Sequence, residues 1–386
     1  MSRAAARRAH GAHAARETRT PPRPRRRAPA PAPTPAAAGY RMPAEWERHA
    51  ATWLSWPHER SDWPGPGKLE AVRWVYTEFI RHVARGERVR LLVDDAAAER
   101  PARRLLTRAG ADLAAVEFWH VPTDRSWTRD YCPLWVRGPD GARGLVTWRF
   151  TGWARYPNHR RDAAVPDRIA ARMRLPRWTP TAAVDGRVRR VVLEGGAVEV
   201  NGAGTVLTTE QCLLSAAQAR NPGLGRADME RLLGDYLGAR TVVWLGAGIA
   251  GDDTHGHVDD LARFTDARTV ATVVADDPAD ENHAALRENL ARLRASTDQD
   301  GRPLRVVELP VPAPIHFDGQ RLPASYANFY VANAAVLVPT FNDANDRRAL
   351  SLLADCFPDR PVIGIHAADL VLGLGTLHCM TQQEPA

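Results

Sequence analysis

The chain of 386 residues contains no uninterrupted apolar run of about 18 residues or more, the length that a membrane-spanning helix requires. Its first residues also lack the apolar central segment of a secretory signal. We therefore expect a cytoplasmic protein without a membrane partner.

Cysteine is scarce as well. Only four cysteines are present, at positions 132, 212, 356 and 379, and no two of them form a C-x-x-C pair. This spacing excludes zinc ribbons and thioredoxin-type redox motifs. Because no export signal is present, all four are expected to be free thiols in a reducing compartment. The sequence has no G-x-x-x-x-G-K-[ST] loop either, which excludes that kind of phosphate site.

Arginine, alanine and proline are abundant at the N-terminus, with almost no large apolar side chains. A segment of this composition buries too little surface to fold, so residues 1–39 are predicted to be a disordered basic tail. Residues 1–40 hold nine arginines and one glutamate, a net charge of +8, whereas the whole chain carries +7, which leaves −1 for the rest. We therefore expect no nucleic-acid partner for the folded domain, residues 40–386.

Beyond the tail, helix-like segments alternate with short apolar segments that are typical of strands. Five such pairs are predicted, at 68–85 and 88–95, 97–110 and 114–121, 227–238 and 240–246, 280–297 and 304–312, and 345–357 and 361–370. In the fourth helix, Leu286, Leu290 and Leu293 lie on one face. A hairpin is predicted to turn at Asn201-Gly202. Alternation of this kind indicates an α/β fold.

Four stretches concentrate acids, histidine, cysteine and glycine in apolar surroundings. They are "SWTRDYCP" (126–133), "LEGGAVEV" (193–200), "GDDTHGHVDDLARF" (251–264) and "GTLHC" (375–379). In the third, His257 and Asp259 are two positions apart in a segment predicted to be extended, so both side chains leave the same face and can address one ligand. The alternative is a polar turn that happens to contain a histidine.

Two further acids stand at the ends of predicted strands. Asp130 follows Trp127, whose ring is suited to wall a pocket, although a local ion pair with Arg129 is the simpler interpretation. Glu194 directly precedes Gly195-Gly196, where a backbone can turn or a ligand can approach closely, although a strand-end acid often just faces water. Together with the aspartate at position 259, these acids can converge on one cation.

Cys379 lies seven residues before the end of the sequence, inside what is predicted to be its last ordered element. It is either a small buried side chain or a nucleophile. Its neighbour His378 is poorly placed to serve it, because adjacent side chains on an extended segment point to opposite faces. A distant base such as His257 suits the role better, since nucleophile and base meet in space and not in sequence.

A zinc site is the competing interpretation of "HGHVDD". The segment resembles the H-x-H-x-D-H signature of metallo-β-lactamase-type hydrolases, in which His and Asp hold zinc. Here Asp260 stands where the last histidine is expected, and no comparable histidine cluster follows. Zinc in a catalytic site requires three protein ligands and an open position.

Six segments, in order along the chain, resemble the agmatine deiminase family, which is also grouped with bacterial-type peptidyl-arginine deiminases. They are "MPAEWERHAATWLSWP", "WTRDYCP", "LEGGAVEVNGAGTVLTTEQCLL", "GHVDD", "PASYANFYVANAAVLVPTFNDANDRRAL" and "LHCMTQQEP". The resemblance extends from about residue 41 to 385. It implies the pentein fold, a five-bladed α/β propeller in a single domain with its active site on the axis.

The resemblance implies that Asp130 and Asp259 hold the planar guanidinium of a small substrate by paired hydrogen bonds, with Trp127 in the pocket wall. It implies that no metal and no organic cofactor is needed. Agmatine is the first expectation for the substrate; another guanidino compound or peptidyl-arginine is the alternative. A non-catalytic protein that binds a guanidino ligand is also consistent with these residues. Whether the chain forms a homo-oligomer is left open by the resemblance.

For the chemistry, the resemblance implies that Cys379 attacks the guanidinium carbon. His257, oriented by Glu194, then protonates the departing ammonia and activates water to hydrolyse the amidino-thioether intermediate. The expected product from agmatine is N-carbamoylputrescine.

The sequence departs from the family pattern at several positions near these residues. Tyr131-Cys132 replaces the usual Thr-Gly, and His255 replaces Asn before "GHVD". Leu374 and Thr376 replace Gly and Asn in the loop before the cysteine. The proposed catalytic residues are unchanged, so the departures bear on which guanidino compound is preferred. Leu374 and Tyr131, being bulkier, are expected to reshape the part of the pocket that reads the substrate's tail.

Overall fold

Residues 33–386 are described by the computed structural model. The predicted tail therefore lies outside the described residues up to position 32. Its predicted end at residue 39 needs correction, because Ala36–Ala38 form a 3-10 helix and the compact body begins at Thr34. Gly39, with a positive φ of 79°, ends this turn, and glycine adopts that conformation without steric cost.

Eight α-helices lie within residues 33–386: α1 Lys68–Val83, α2 Ala96–Arg108, α3 Thr128–Tyr131, α4 Arg160–Met173, α5 Glu210–Leu214, α6 Arg226–Leu237, α7 His283–Arg294 and α8 Asp346–Cys356. None of the helices in this part of the chain is both long enough and apolar enough to cross a membrane. Five of the eight coincide, within a few residues, with the helices predicted from the sequence.

Twenty strands complete the described part of the chain. They are β1 His49–Ser55, β2 Arg88–Val93, β3 Val116–His120, β4 Leu134–Arg137, β5 Arg143–Val146, β6 Arg177–Trp178, β7 Thr181–Val184, β8 Arg187–Arg190, β9 Glu199–Val200, β10 Thr205–Thr209, β11 Thr241–Leu245, β12 Ala262–Phe264, β13 Thr269–Val274, β14 Arg305–Pro310, β15 His316–Phe317, β16 Gln320–Arg321, β17 Tyr330–Val331, β18 Val336–Thr340, β19 Val362–His366 and β20 Gln382–Pro385.

Five of the sheets share one pattern of pairing. Their strand orders are β4-β5-β6, β9-β10-β11, β12-β13-β14, β17-β18-β19 and β20-β1-β2-β3. In each, a central strand pairs antiparallel with one neighbour and parallel with the other. The α/β class is thereby confirmed, and the repeated unit agrees with a fold of five similar parts. Closure of these sheets into a five-bladed propeller stays a prediction.

The helices form where amphipathic spacing and end signals coincide. The residues that α1 buries recur mostly every three or four positions, among them Leu69, Val72, Tyr76, Phe79 and Val83. Asp95 caps the start of helix α2, because its carboxylate accepts hydrogen bonds from the N–H groups of Ala97 and Ala98, at 2.8 and 2.9 Å. Helix α6 ends at Gly238, with φ of 79°. The three leucines predicted on one face of α7 are buried.

The predicted hairpin is also present. Strands β9 and β10 pair antiparallel, and Asn201 closes their connection because its Oδ1 accepts hydrogen bonds from the N–H groups of residues 203, 204 and 205. The loop spans residues 201–204 and is therefore longer than a two-residue turn. The Asn201 side chain holds it together.

The end of the chain is fixed by strand β20, which pairs antiparallel with β1. Glu384 is fully buried and accepts a hydrogen bond from Trp53 Nε1 at 2.9 Å. It also pairs with Arg90, at 3.0 Å, and with Arg143. Cys379 lies three residues before β20, so this anchored strand holds the cysteine in place and explains why an ordered element lies so close to the end of the sequence.

We expect Glu384→Gln to lower the free energy of unfolding by about 2–3 kcal/mol, because two largely buried arginines lose their shared counter-charge. Urea denaturation monitored by tryptophan fluorescence measures this change. Glu281→Gln is the matched control: Glu281 is 69% exposed and lies 3.9 Å from Arg321, so its loss should change stability by less than about 0.5 kcal/mol. Equal losses in the two variants would contradict the anchoring role.

Candidate active site

A cavity of about 230 Å³ contains the residues on which the sequence analysis centred. Its wall includes Trp127, Asp130, Leu374 and Cys379. Three further predicted residues, at positions 194, 257 and 259, lie close behind this wall. The structure therefore brings together all six residues that were predicted to form the site.

Cys379 is buried, with its sulfur held between polar groups. The thiol lies 3.8 Å from Asp259 Oδ2, a carboxylate 120 positions away in sequence. Asn328 Nδ2 donates a hydrogen bond to the sulfur at 3.2 Å. Thr376 in turn donates to Asn328 Oδ1 at 2.7 Å. Asn328 was not predicted, and its only signal was its place in a motif of the family.

Asp130 lies in the short helix α3, and not at the end of a strand as predicted. Its Oδ1 accepts a hydrogen bond from Gly196 N at 3.0 Å and its Oδ2 accepts one from Trp153 Nε1 at 2.9 Å. The simpler interpretation, an ion pair with Arg129, is not what the structure shows, because Arg129 pairs with Glu45 at 3.2 Å. Two neutral N–H donors thus fix the position of the Asp130 carboxylate.

His257 precedes a 3-10 helix, Val258–Asp260, so the predicted extended segment is wrong. The side chains of His257 and Asp259 nevertheless face each other, with Nδ1 and Oδ1 4.0 Å apart. His257 Nδ1 also lies 3.8 Å from Asp130 Oδ1. Among residues 33–386, both ring nitrogens of His257 and Oδ1 of Asp259 are buried and have no hydrogen-bond partner. Buried polar atoms of this kind are expected where a ligand or its water completes the site.

Glu194 is fully buried beside the imidazole, so it does not face water. Its Oε2 lies 3.8 Å from His257 Nε2. Arg220, which was not predicted, places Nε 3.2 and 3.3 Å from the two carboxylate oxygens. Burial opposes ionisation of Glu194, but Arg220 and His257 outweigh it and lower its pKa to about 2. Glu194 is therefore a permanent anion next to the imidazole.

As predicted, His378 does not serve Cys379. Its ring instead holds the carboxylate of Asp259. Its Nδ1 lies 2.6 Å from Asp259 Oδ2 and its Nε2 lies 2.9 Å from Glu45 Oε2. This contact fixes the carboxylate that touches the thiol. Burial disfavours the charge of Asp259, yet the hydrogen bond and charge of His378 bring its pKa below the usual value.

Two glycines permit these side chains to meet. A Cβ on Gly196 would lie 2.4 Å from His257 Nδ1 and 2.9 Å from Asp130 Oδ1. A Cβ on Gly195 would lie 2.2 Å from the backbone oxygen of Arg129. The close approach predicted for Gly195-Gly196 is thus made to the backbone beside Asp130 by Gly195 and to the side chains of His257 and Asp130 by Gly196.

The departures from the family pattern differ in their relation to the cavity. Leu374 lines it, with a positive φ of 65° that is strained for a residue with a side chain. Thr376 acts on the site through its bond to Asn328. Tyr131 is not part of the wall within residues 33–386; its hydroxyl donates to the backbone oxygen of Arg125 at 2.9 Å. Only the first of the two predicted pocket changes is therefore seen.

The histidine pair of "HGHVDD" is not assembled as a zinc site within residues 33–386. His255 Nε2 lies 3.1 Å from Ser215 Oγ. The potential ligand clusters in this part of the chain are Glu194, Cys212 and His257, and Asp259, Asp260 and Cys379. Neither contains two histidines, so the resemblance to the metallo-β-lactamase signature does not extend to geometry.

Comparison with known proteins supports the resemblance to the agmatine deiminase family that the sequence motifs indicate. The family model described as "Porphyromonas-type peptidyl-arginine deiminase" matches residues 41–385. The agmatine deiminase of Pseudomonas aeruginosa is 33% identical over 373 residues, which cover 91% of this chain and 96% of that protein. The solved agmatine deiminase of Enterococcus faecalis aligns with a TM-score of 0.83 at 32% identity, covering 92% of this chain and 98% of that one. A solved C. jejuni agmatine deiminase aligns with a TM-score of 0.74 at 27% identity, covering 90% of this chain and 96% of that one.

The fold and the site together define a deiminase, a hydrolase of the pentein superfamily. The chain belongs to the agmatine deiminase family, within the Porphyromonas-type peptidyl-arginine deiminase grouping. The resemblance noted in the sequence is thereby confirmed.

Gly196→Ala should lower kcat at least about 100-fold, because the new methyl group displaces the imidazole from Asp130 and a small misplacement has a cost of that order. The measurement is steady-state ureido formation, with circular dichroism to verify folding. Gly225→Ala is the control, since a Cβ there meets nothing within 4 Å and φ is −99°. Full activity in the Gly196 variant would show that this close contact is unimportant.

Proposed function

We propose that the chain hydrolyses the guanidino group of agmatine to give N-carbamoylputrescine and ammonia, through a covalent intermediate on Cys379. The observation that carries the proposal is the placement of the thiol 3.8 Å from Asp259, with His257 within 4.0 Å of both Asp259 and Asp130. A nucleophile, a proton donor and two anions thus surround one small cavity.

The two aspartates supply the binding of the cation. A guanidinium is planar and positively charged, and carboxylates hold it by paired, charge-assisted hydrogen bonds. Asp130 and Asp259 are both buried, and Oδ1 of Asp259 has no hydrogen-bond partner within the described part of the chain, residues 33–386. Trp127, also buried, adds a flat wall against which the cation can lie.

The state of the thiol depends on that cation. Burial, followed by the charges of Asp259, Asp260 and Asp130, raises the pKa of Cys379 well above that of an ordinary thiol. The free enzyme therefore holds a protonated cysteine. A bound guanidinium neutralises the same carboxylates, which favours loss of the thiol proton to solvent and formation of the nucleophilic thiolate when substrate is present.

His257 is set up to act first as an acid. Burial disfavours its charge, but Asp130, Cys212 and Glu194 together raise its pKa well above the usual value. The imidazole is therefore protonated in the free enzyme and has a proton to give. Glu194, kept ionised by Arg220, stabilises the imidazolium and fixes its orientation.

In the first half-reaction, the Cys379 thiolate adds to the guanidinium carbon and a C–S bond forms. The bond from that carbon to one terminal nitrogen breaks, and the nitrogen leaves as ammonia with a proton from His257. In the second, water gives a proton to His257 and its oxygen adds to the same carbon. The C–S bond then breaks, the thiolate returns, and the remaining hydroxyl proton passes to solvent, leaving a urea group.

The choice of agmatine is supported by the names of the relatives, several of which are agmatine deiminases aligned over at least 90% of this chain.

The five sheets with the same pairing pattern support a second element of the proposal. We propose that they form the five blades of the pentein propeller, with the cavity on its axis.

Cys379→Ala should reduce ureido formation from agmatine by more than about 10⁴-fold, because no other group can form the covalent intermediate. His257→Ala should lose about 10²- to 10⁴-fold, the contribution of a positioned acid and base. A colorimetric ureido assay across agmatine, free arginine and an arginyl peptide measures both effects and ranks the substrates.

The matched control is Cys356→Ala, a half-buried cysteine of α8 outside the cavity wall, which should retain activity. Iodoacetamide should inactivate the wild type, whereas prolonged EDTA treatment should not. Activity that depends on metal, or that persists in the Cys379 variant, would refute the mechanism. Retained agmatine binding with no turnover in the wild type would instead indicate a non-catalytic binder.

The pH dependence follows from Asp130. Burial, opposed by His257 and reinforced by Asp259 and Glu194, raises its pKa to about 6. Asp130 is therefore protonated below that pH and cannot hold the cation. We expect kcat/KM for agmatine, which reports ionisations of the free enzyme, to fall about tenfold per pH unit below pH 6. In Asp130→Asn, kcat/KM should be much lower at every pH and should no longer fall below pH 6. If the fall below pH 6 persists in this variant, it belongs to another titrating group.

A further inference from the structure

The arginines of the folded domain are distributed unevenly. Residues 149–190 hold eleven arginines and three aspartates, a net charge of +8, although the chain beyond residue 40 carries −1 in all. A cavity of about 440 Å³ lies in this region, apart from the active site, and the two share no wall residue. Five residues of its wall, which we call the arginine cleft, are Arg149, His159, Arg160, Arg189 and Arg190.

Three segments of the chain meet to form the arginine cleft. The start of helix α4 and the end of strand β8 each contribute two of its residues, and Arg149 lies just after strand β5. The hairpin of β7 and β8 turns at Asp185 and Gly186, whose positive φ angles of 50° and 72° suit a two-residue turn. The chain beyond β8 is attached beside Arg149, whose N–H donates to the backbone oxygen of Val191 at 2.9 Å.

No carboxylate balances the charges of the arginine cleft. The cavity wall contains no aspartate or glutamate, and none of the cleft's four arginines has a carboxylate oxygen within 4.0 Å among residues 33–386. Two of the three aspartates in the region are engaged elsewhere. Asp162 is buried and accepts a hydrogen bond from the N–H of Asp124 at 2.7 Å, and Asp167 pairs with Arg177. The third, Asp185, lies in the hairpin turn.

Two side chains of the cleft are held in place by neutral groups. Arg190 Nη2 donates a hydrogen bond to the backbone oxygen of Thr147 at 3.0 Å. His159 Nδ1 lies 2.8 Å from the backbone oxygen of Tyr156, which can only accept, so this ring nitrogen carries a proton. These contacts position the side chains without neutralising the cleft, and preorganisation of this kind lowers the cost of binding a ligand.

Like charges that share a concave surface repel one another and attract an anion. Arginine is the side chain best suited to phosphate, which it binds by two parallel hydrogen bonds. We propose that the arginine cleft is a binding site for a compact ligand with a chain of two or three phosphates, either inorganic or part of a nucleotide. Each phosphate carries about one to two negative charges, so such a chain balances four arginines.

A nucleic acid is the competing occupant. Proteins hold single strands in a basic groove with aromatic side chains on which the bases stack. Phe150 is the only Phe, Tyr or Trp in the cavity wall within residues 33–386, and it is buried, with 4% of its surface exposed. The rest of the folded domain is slightly negative and does not attract a long polyanion. The charges therefore favour a short phosphate chain over a strand.

The test measures binding of inorganic tripolyphosphate to the full chain by isothermal titration calorimetry. The wild type should bind it, and Arg149→Gln and Arg189→Gln should each weaken the affinity at least about tenfold, because each removes a charge-assisted hydrogen bond. Both arginines are exposed, so the variants should keep the wild-type circular dichroism spectrum and urea midpoint. A wild type that binds neither tripolyphosphate nor ATP would overturn the proposal.

Arg187→Gln is the matched control. Arg187 is exposed and lies on β8 two positions before Arg189, but it is not part of the cavity wall. The substitution makes the same change of charge on the same strand, so the affinity should stay within about threefold of wild type. A loss as large as that of Arg189→Gln would show that the general field of the region, and not the cleft, attracts the anion.

ATP, measured without Mg²⁺, distinguishes the two sources of a phosphate chain. Affinities equal to that of tripolyphosphate, lost in the double variant Arg149→Gln/Arg189→Gln, would show that the cleft reads the phosphates alone. An ATP affinity at least about tenfold higher, lost in the same variant, would identify a nucleotide as the ligand. Either result supports the proposal.

Three results would overturn it. Undiminished binding in the double variant would place the anion elsewhere, such as on the arginines of residues 1–32. Citrate that binds as tightly as tripolyphosphate would show that the cleft does not select phosphate. A short single-stranded oligonucleotide that binds at least about 100-fold more tightly than tripolyphosphate, and is lost in the double variant, would assign the cleft to nucleic acid. None of these measurements depends on turnover of agmatine, so they leave the proposed function untouched.

Discussion

The carboxylate of Asp259 is the constraint on which the active site depends. It lies 2.6 Å from His378 Nδ1, 3.8 Å from the Cys379 sulfur and 4.0 Å from His257 Nδ1. Burying an anion is costly unless it is paired, and here the pairing comes from His378, the residue next to Cys379. The contact that keeps Asp259 ionised therefore also helps to set the position of Cys379.

A buried network of ions supports this arrangement. Glu45 accepts from His378 at 2.9 Å and pairs with Arg129 at 3.2 Å and with Arg263 at 2.9 Å. Although burial works against it, Arg263, His378 and Arg129 lower the pKa of Glu45 well below its usual value. A network of this kind stabilises little by itself, but removal of one partner leaves an unpaired buried charge. It thus keeps the backbone that carries Asp130 in contact with the backbone that carries Cys379.

Much of the fold was predictable because its signals are local. The spacing of Leu286, Leu290 and Leu293 identified α7, and Asn201-Gly202 identified the hairpin. Helix α4, Arg160–Met173, was not predicted, since it carries Pro166 and many arginines and buries few large apolar residues. The segments around Asp130 and His257 were assigned wrongly as strand end and extended chain, because helices of three or four residues leave no periodic pattern.

The sequence by itself determined five helices and the strands that follow them, the α/β class and, through six ordered motifs, the family and the residue types of its proposed chemistry. Those properties follow from side-chain periodicity and short-range geometry, which the linear order contains. Only the tertiary structure decided that His378 holds Asp259 and that Arg220 keeps Glu194 ionised. It also decided that Leu374, and not Tyr131, faces the cavity. These contacts join residues as far as 119 positions apart, and both a buried pairing and the pKa it produces depend on which charges the fold encloses together.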